Sequence, residues 1–236
     1  MIEFPTTFER SAGRDSLHGF VTPQRRRLAA LDLYCCAGGA AMGLHRAGYD
    51  VTGVDIVNQP NYPFAFQLGD ALEAELDGYD LVWASPPCQN SSRMAGCRPG
   101  LRERYAQLIP ATREKLKAWG GPYIIENVIG APLDNPVMLC GAMFGLKTYR
   151  HRIFESNVPL TVPPHPKHEV PTSKAGHWKP GTYISVAGNC APMEMAREAM
   201  GIDWTTRAEL VEAIPPAFAE YLARQILRVT ARRNKD

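Results

Sequence analysis

Residues 28–56 read LAALDLYCCAGGAAMGLHRAGYDVTGVDI, and this stretch decides the fold. Leu28 to Tyr34 is a short apolar run that stops at a turn of small residues, Cys35-Cys36-Ala37-Gly38-Gly39. Ala40 to Gly48 then has the spacing of a helix and closes on Gly48, the residue type that tolerates a left-handed helix end. Tyr49 to Ile56 is a second strand with Asp55 near its carboxyl end. Strand, glycine turn, helix and strand in succession form the repeating unit of a parallel sheet.

The alternation continues downstream. FAFQLGDAL (64–72) is a third strand leading to Asp70, and YDLVWASPP (79–87) is a fourth, stopped by Pro86 and Pro87. Arg102 to Trp119 suits a helix, and GPYIIENV (121–128) is a fifth strand ending at Glu126 and Asn127. The expected fold is therefore α/β, with a doubly wound, mostly parallel sheet. Such sheets place ligands beyond the carboxyl ends of their strands. Asp55, Asp70, Cys88 and Glu126 all fall there. A hydrophobic core would not ask for carboxylates at those positions.

Outside this block the pattern is weaker. Residues 1–27 mix polar residues, Gly and Pro without periodicity and end in Arg25-Arg26-Arg27, either an arm that touches phosphate or a solvated charge run. Residues 28–155 are expected to form the catalytic core. Residues 156–182, rich in Pro, His, Lys and Gly, read as a short insert or long surface loop. From 183 to 236 the chain is expected to complete the domain, with regular structure resuming at TYISVAG (182–188). Helices are expected over PMEMAREAMGI (192–202), over RAELVEAI (207–214) and from Pro216 to Arg233. Arg224, Arg228 and Arg232 form a stripe on the last helix and read as a solvated face.

Composition excludes several classes. In 236 residues, 26 Lys and Arg balance 24 Asp and Glu, so a net charge of +2 neither requires nor forbids a nucleic-acid partner. Hydrophobic residues at 45% suit a globular chain with a real core. No run has the length of a membrane span, and the first residues lack the pattern of an export signal, so a cytoplasmic location is expected. The six cysteines, Cys35, Cys36, Cys88, Cys97, Cys140 and Cys190, form no CxxC pair, and reduced thiols are expected. His165, His168 and His177 in the insert also lack a partnering Cys pair, so no metal is expected.

Several constellations carry chemistry. The turn from Tyr34 through Ala37 to Gly38 and Gly39 lets backbone approach a ligand, although GxGxxG itself is absent. Asp55 suits two ribose hydroxyls and Asp70 an exocyclic amino group; either alone also suits a cap carboxylate. Pro86-Pro87-Cys88-Gln89 fixes the backbone and presents a thiol in a polar turn, where a nucleophile fits better than a buried structural cysteine. Glu126 supplies a carboxyl that can donate to a ring nitrogen when protonated. Arg150 and Arg152 alternate, which puts both cations on one face of a strand.

Taken in order, these motifs resemble the DNA (cytosine-5) methyltransferase family from Leu31 to about Leu227, in the manner of a small phage or bacterial member. DLYCCAGGAAMGLHRAG (32–48) resembles the cofactor loop, Gly53-Val54-Asp55-Ile56 the ribose-binding strand end, and Gly69-Asp70-Ala71 the adenine contact. Pro86-Pro87-Cys88-Gln89 resembles the nucleophile motif, Glu126-Asn127-Val128 the base-binding motif, and Tyr149 to Phe154 the two-arginine motif. The resemblance implies a Rossmann-like S-adenosylmethionine-dependent methyltransferase fold. Tyr34, Ala37, Gly38, Gly39, Asp55, Ile56, Asp70, Ala71 and Pro86 would hold S-adenosylmethionine. Cys88, Glu126, Arg150 and Arg152 would be catalytic, and the partner would be double-stranded DNA.

The implied reaction begins with a cytosine flipped from its stack. The Cys88 thiolate adds to carbon-6, Glu126 binds ring nitrogen 3 and the amino group, and carbon-5 takes the methyl group. Loss of the carbon-5 proton then expels Cys88. Arg152 would help hold the base and Arg150 would position the Cys88 region. The same motifs suit RNA, single-stranded DNA or a decayed binding module as alternatives.

The chain departs from the family pattern at three places: Cys36 replaces a loop glycine, Asn90-Ser91-Ser92 replaces a Phe-Ser pair, and Val211-Glu212 stands for Gly-Asn. The recognition region is reduced to about Glu155–Tyr183, which implies shallow sequence readout, with Lys167, Lys174 and Lys179 available to phosphate.

Overall fold

The computed structural model describes residues 27–87, 108–174 and 176–233. Cys88, Gln89, the Asn90-Ser91-Ser92 segment, Cys97, the start of the helix expected from Arg102, and residues 1–26 lie outside the described residues. Seven strands form one sheet: β1 (Leu28–Leu33), β2 (Tyr49–Asp55), β3 (Ala65–Leu68), β4 (Leu81–Ala84), β5 (Tyr123–Asn127), β6 (Val137–Leu139) and β7 (Arg152–Ser156). Their spatial order is β3-β2-β1-β4-β5-β7-β6. β1 to β5 run parallel, while β7 is antiparallel to both β5 and β6. The order reverses between β1 and β4, so a crevice opens at their carboxyl ends.

Strand alternation sorts the core into two layers. Ala30, Tyr49, Val51, Leu81, Trp83 and Ile124 face α1 (Gly39–Ala47) and the C-terminal helix (Pro216–Arg233). Leu31, Leu33, Val54, Val82, Ala84 and Ile125 face the other way, toward the helix Leu108–Trp119, labelled α2. A bidentate pair fixes α2 to the sheet: Arg113 Nε and one terminal nitrogen donate to Glu155 on β7 at 2.8 and 2.7 Å. A third layer closes the end of the molecule. Ile184, Val186, Cys190, Ile202, Leu210 and Ala213 pack with α3 (Met193–Met200) and α4 (Arg207–Glu212) into a small cluster of their own.

The regular structure expected to resume at 182–188 does not form there. Tyr183 makes one isolated bridge with Thr172, and Ile184 and Val186 are buried by helices rather than by a neighbouring strand. The C-terminal helix, α5, runs from Pro216 to Arg233 as expected. Arg224 on its stripe is engaged locally, pairing with Glu220 at 2.7 Å and donating to the Arg46 carbonyl at 2.9 Å. Among the described residues no helix is long and apolar enough to cross a membrane.

α1 and α5 meet at bare backbone. A Cβ on Gly43 would lie 2.3 Å from the Pro216 carbonyl oxygen and 2.7 Å from Ala219 Cβ and the Glu220 nitrogen. In an isolated helix Gly→Ala gains about 1 kcal/mol. Here the obstructing atoms belong to a helix backbone that cannot turn aside, so the clash outweighs that gain. Gly43→Ala is expected to lower the urea midpoint with a net loss of about 1–3 kcal/mol. An unchanged or raised midpoint would show that α5 shifts freely.

Candidate active site

The loop after β1 is held in a strained form. Tyr34, Cys36 and Gly38 all have positive φ, at 58°, 42° and 82°. Two of these are not glycine, and such strain persists where surrounding bonds over-determine it. Asp55 at the end of β2 is one such restraint: its carboxylate accepts the N–H of Cys36 and of Val57, each at 3.0 Å. Tyr34 adds a hydroxyl contact to Thr112 at 2.8 Å, and Trp204 donates its ring N–H to the Ala37 carbonyl at 2.8 Å. Cβ atoms on Gly38 and Gly39 would strike Pro63 at 2.8 Å and the Ile214 carbonyl at 2.5 Å. Both positions therefore require glycine for packing.

The residues expected from sequence to hold the cofactor lie at or after the carboxyl ends of β1, β2, β3 and β4. Ile56 is 56% exposed and Val57 46%, an apolar shelf directly after Asp55, with Leu68 at 67% on the neighbouring strand. Asp70 turns the chain after β3, accepting the Leu72 N–H at 2.9 Å, and Ala71 is buried. Asp55 and Asp70 thus serve as cap carboxylates, and each Asp55 oxygen, with one N–H accepted, keeps a lone pair for a further donor.

Carboxylates crowd these strand ends. Burial raises the Cys36 thiol, and Asp55, Glu212, Asp32 and Glu126 push it further in the same direction. Cys35 is likewise raised by burial, then by Asp32 and Asp55. Neither thiol is a nucleophile at neutral pH. Asp32, missed in the sequence reading, is almost fully buried, and among the described residues the Ala41 backbone is the polar group nearest to satisfying its carboxyl. Burial lifts its carboxyl well above the ordinary range, the Ala41 backbone opposing and Asp55 and Glu126 adding. The strand period places Asp32, Asp55 and Glu126 on one face of the sheet.

Glu126 and Asn127 end β5, and both are buried. Arg152 Nε stands 3.1 Å from Glu126 Oε1. Burial raises the Glu126 carboxyl; Arg152, Ser85 and Arg150 hold it back. Asn127 donates to the Pro86 carbonyl at 2.8 Å, joining the base-binding motif to the start of the Pro86-Pro87-Cys88 motif.

Arg150 does not share a strand face with Arg152. It lies ahead of β7 with φ 31°, because its guanidinium turns to three backbone carbonyls: Val186 at 2.7 Å, Val211 at 2.7 Å and Ala213 at 2.8 Å. Burial and Arg152 disfavour its charge, and Glu126 supports it. A cleft of about 150 Å³ opens beside it, lined by Arg150, Arg152, Tyr149, Thr172 and Ser185. His151, between the two arginines, contacts His165 rather than this cleft. Its ring is pushed below the ordinary value by burial, then by His168, His165 and Arg152.

Removing Arg152 would leave Glu126 buried without its nearest cation. Breaking one side of a buried pair costs about 3–5 kcal/mol, and the low end is expected while Arg150 remains. The folded carboxyl already titrates above its ordinary value of 4.5, and losing Arg152 raises it further. The folded state then prefers the protonated form, so the deficit is largest at neutral pH and shrinks as pH falls toward 4.5. Urea unfolding of Arg152→Ala at pH 7.5 and pH 5 tests this; an equal loss at both would remove Glu126 from the cause.

No protein-family profile and no curated protein sequence matches the chain. Solved structures do. A prophage-encoded protein of E. coli, assigned as a DNA modification methyltransferase, is 13% identical with a TM-score of 0.64, covering 86% of this chain and 99% of that one. The Dnmt2 methyltransferase of S. pombe is 13% identical with a TM-score of 0.56, covering 87% and 99%. Identity this low establishes the fold. The chain has the Rossmann-like fold of the S-adenosylmethionine-dependent methyltransferases, the fold implied by its resemblance to the DNA (cytosine-5) methyltransferases.

Proposed function

We propose that the chain transfers a methyl group from S-adenosylmethionine to carbon-5 of cytosine in double-stranded DNA. The observation that carries this reading is the Asn127–Pro86 hydrogen bond, which ties the residues just before Cys88 to a buried, arginine-paired Glu126. Pro86, two residues before the proposed nucleophile, and the strand end that carries the proposed ring-binding carboxyl are thereby joined.

The donor site fits a cationic, nucleoside-bearing cofactor. Asp55 has lone pairs for ribose hydroxyls, and Ile56 with Val57 offers an apolar shelf for a flat ring, with Asp70 at the turn after β3 as the carboxylate for an amino group. Asp55 and Glu212 beside Cys36 favour positive charge such as a sulfonium and an α-amino group. S-adenosylmethionine supplies an electrophilic methyl group there.

The chain's own residues do the rest. The Cys88 thiolate adds to carbon-6 of a flipped cytosine, pushing electron density onto carbon-5. Burial raises the Glu126 carboxyl, which favours the protonated form that donates to ring nitrogen 3 while accepting from the amino group, stabilising the charge that develops. Arg152 orients Glu126 and faces the cleft that would receive the base. After methyl transfer the carbon-5 proton leaves to solvent and the Cys88–carbon-6 bond breaks, restoring the thiolate. Arg150 acts at a distance by fixing the wall of the cleft. Exposed Lys167, Lys174 and Lys179 suit the phosphate backbone without reading sequence.

Transfer of labelled methyl groups from S-adenosylmethionine to double-stranded DNA tests the reading. Label in 5-methylcytosine that disappears with Cys88→Ala, and falls about a hundred- to a thousandfold with Glu126→Gln, is the expected result. Label confined to RNA or single strands would move the substrate; none at all, with the cofactor bound, would leave a binding module. Calorimetry provides a second check: Asp55→Ala should weaken S-adenosylmethionine about tenfold or more. An unchanged affinity would take Asp55 out of the site.

A further inference from the structure

Away from the cleft, four ligand-type side chains converge. Cys140 follows β6, His151 immediately precedes β7, and His165 and His168 come from the irregular segment after it. One ligand atom from each lies within 4.8 Å of all the others. Cys140 Sγ stands 3.4 Å from His168 Nε2, and His151 Nε2 stands 3.1 Å from His165 Nε2. We infer that Cys140, His151, His165 and His168 hold one Zn2+ ion in a closed structural site.

The Cys140–His168 and His151–His165 distances have the size of tetrahedral edges, and the other pairs, all within 4.8 Å, need only small side-chain adjustments to close on an ion. Bonds of about 2.3 Å to sulfur and about 2.0–2.1 Å to nitrogen give edges of roughly 3.3 Å between nitrogens and roughly 3.6 Å between sulfur and nitrogen. Three imidazoles and one thiolate in that geometry select zinc over the hard oxygen-seeking cations. Four protein ligands leave no open position, which makes the site a staple rather than a second catalytic centre.

Two observations beyond the cluster point the same way. The ligands are already oriented from outside: the Cys140 sulfur accepts the Met143 backbone N–H at the start of a 3-10 helix, and the Tyr149 ring stacks on His168 at 3.6 Å. Bonds of this kind to a thiolate, and packing of this kind on a ligating ring, are what support a metal's first ligands. The second concerns order. Residues 157–171 contain neither helix nor strand, and both His165 and His168 are exposed. Exposed rings on such a segment gain little from meeting one another in water, and fixing them is opposed by conformational entropy. A shared cation supplies the missing attraction.

The site would pin the reduced insert onto the root of the β6–β7 hairpin. His151 lies between Arg150 and Arg152, so the same ion would fix the backbone that aims both arginines.

Metal analysis of the full chain, purified from zinc-containing medium without chelator and dialysed, tests the inference independently of methyl transfer. The expected content is about one zinc per chain. Replacement by Co2+ should give the intense visible bands of a tetrahedral site together with a thiolate charge-transfer band. Cys140→Ala should abolish the charge-transfer band, and His165→Ala, an exposed change that leaves the core intact, should weaken the metal about a hundredfold or more. Wild-type chain without zinc, and without a tetrahedral spectrum in excess Co2+, would overturn the assignment. Stoichiometric zinc unaffected by His165→Ala and Cys140→Ala would overturn it equally, placing the metal elsewhere.

Discussion

The cleft depends on what the Arg150 guanidinium does. It donates to the carbonyls of Val186, Val211 and Ala213, drawing the irregular stretch at Val186 and the carboxyl end of α4 toward the root of one antiparallel hairpin. Carbonyls in irregular segments and at helix carboxyl ends need donors, and a planar cation with five N–H groups can serve several at once. With those carbonyls satisfied, the segment from Ile184 to Ala213 can bury its own small cluster without a strand. Trp204 then extends from that cluster to the Ala37 carbonyl. The loop after β1 is thus restrained by Asp55 from one side and by the C-terminal layer from the other.

Electrostatics sort the cysteines and carboxylates by location. Cys35 and Cys36 sit beside acids in a buried loop, where the thiolate form is suppressed. They behave there as small apolar side chains. Asp32 and Glu126 lie on the same sheet face and are both displaced toward their protonated forms, but only Glu126 has an arginine beside it. A carboxyl that is buried, cation-paired and at a strand end is suited to exchange hydrogen bonds with a neutral ring. One that is buried without a cation beside it is suited to stay protonated.

Much of this was legible from residue patterns. The five parallel strands show as apolar runs ending in polar residues, because a sheet covered on both faces leaves only its strand ends for charge. LAALDLY therefore announced β1, and Gly48 the end of α1. Period failed where geometry is set by distant partners. Arg150 and Arg152 alternate in sequence like a strand, but the three carbonyls that turn Arg150 aside come from residues 36 to 63 positions later. TYISVAG reads as regular structure, yet beyond the single Tyr183–Thr172 bridge it is helices that bury Ile184 and Val186. Cys140 and His151 flank β6 and β7 at a spacing that resembles no ligand motif, and only the hairpin brings them to His165 and His168. Asp32 stood inside the quoted loop motif, and burial is what singles it out.

The bare-backbone contact between α1 and α5 bears on how the chain is made. Arg46 and Arg224, bonded across that contact, lie 178 residues apart. At about 5–20 residues per second, a ribosome completes the interval in roughly 10–35 s. Throughout that time α1 and the strands it covers have been synthesised, while Phe218, Leu222 and Ile226, the side chains that seal their outer face, have not. The nascent protein therefore carries an open apolar layer until α5 emerges. That layer is sealed by a non-local closure, which favours slow folding and a call on chaperones that hold unfinished sheets.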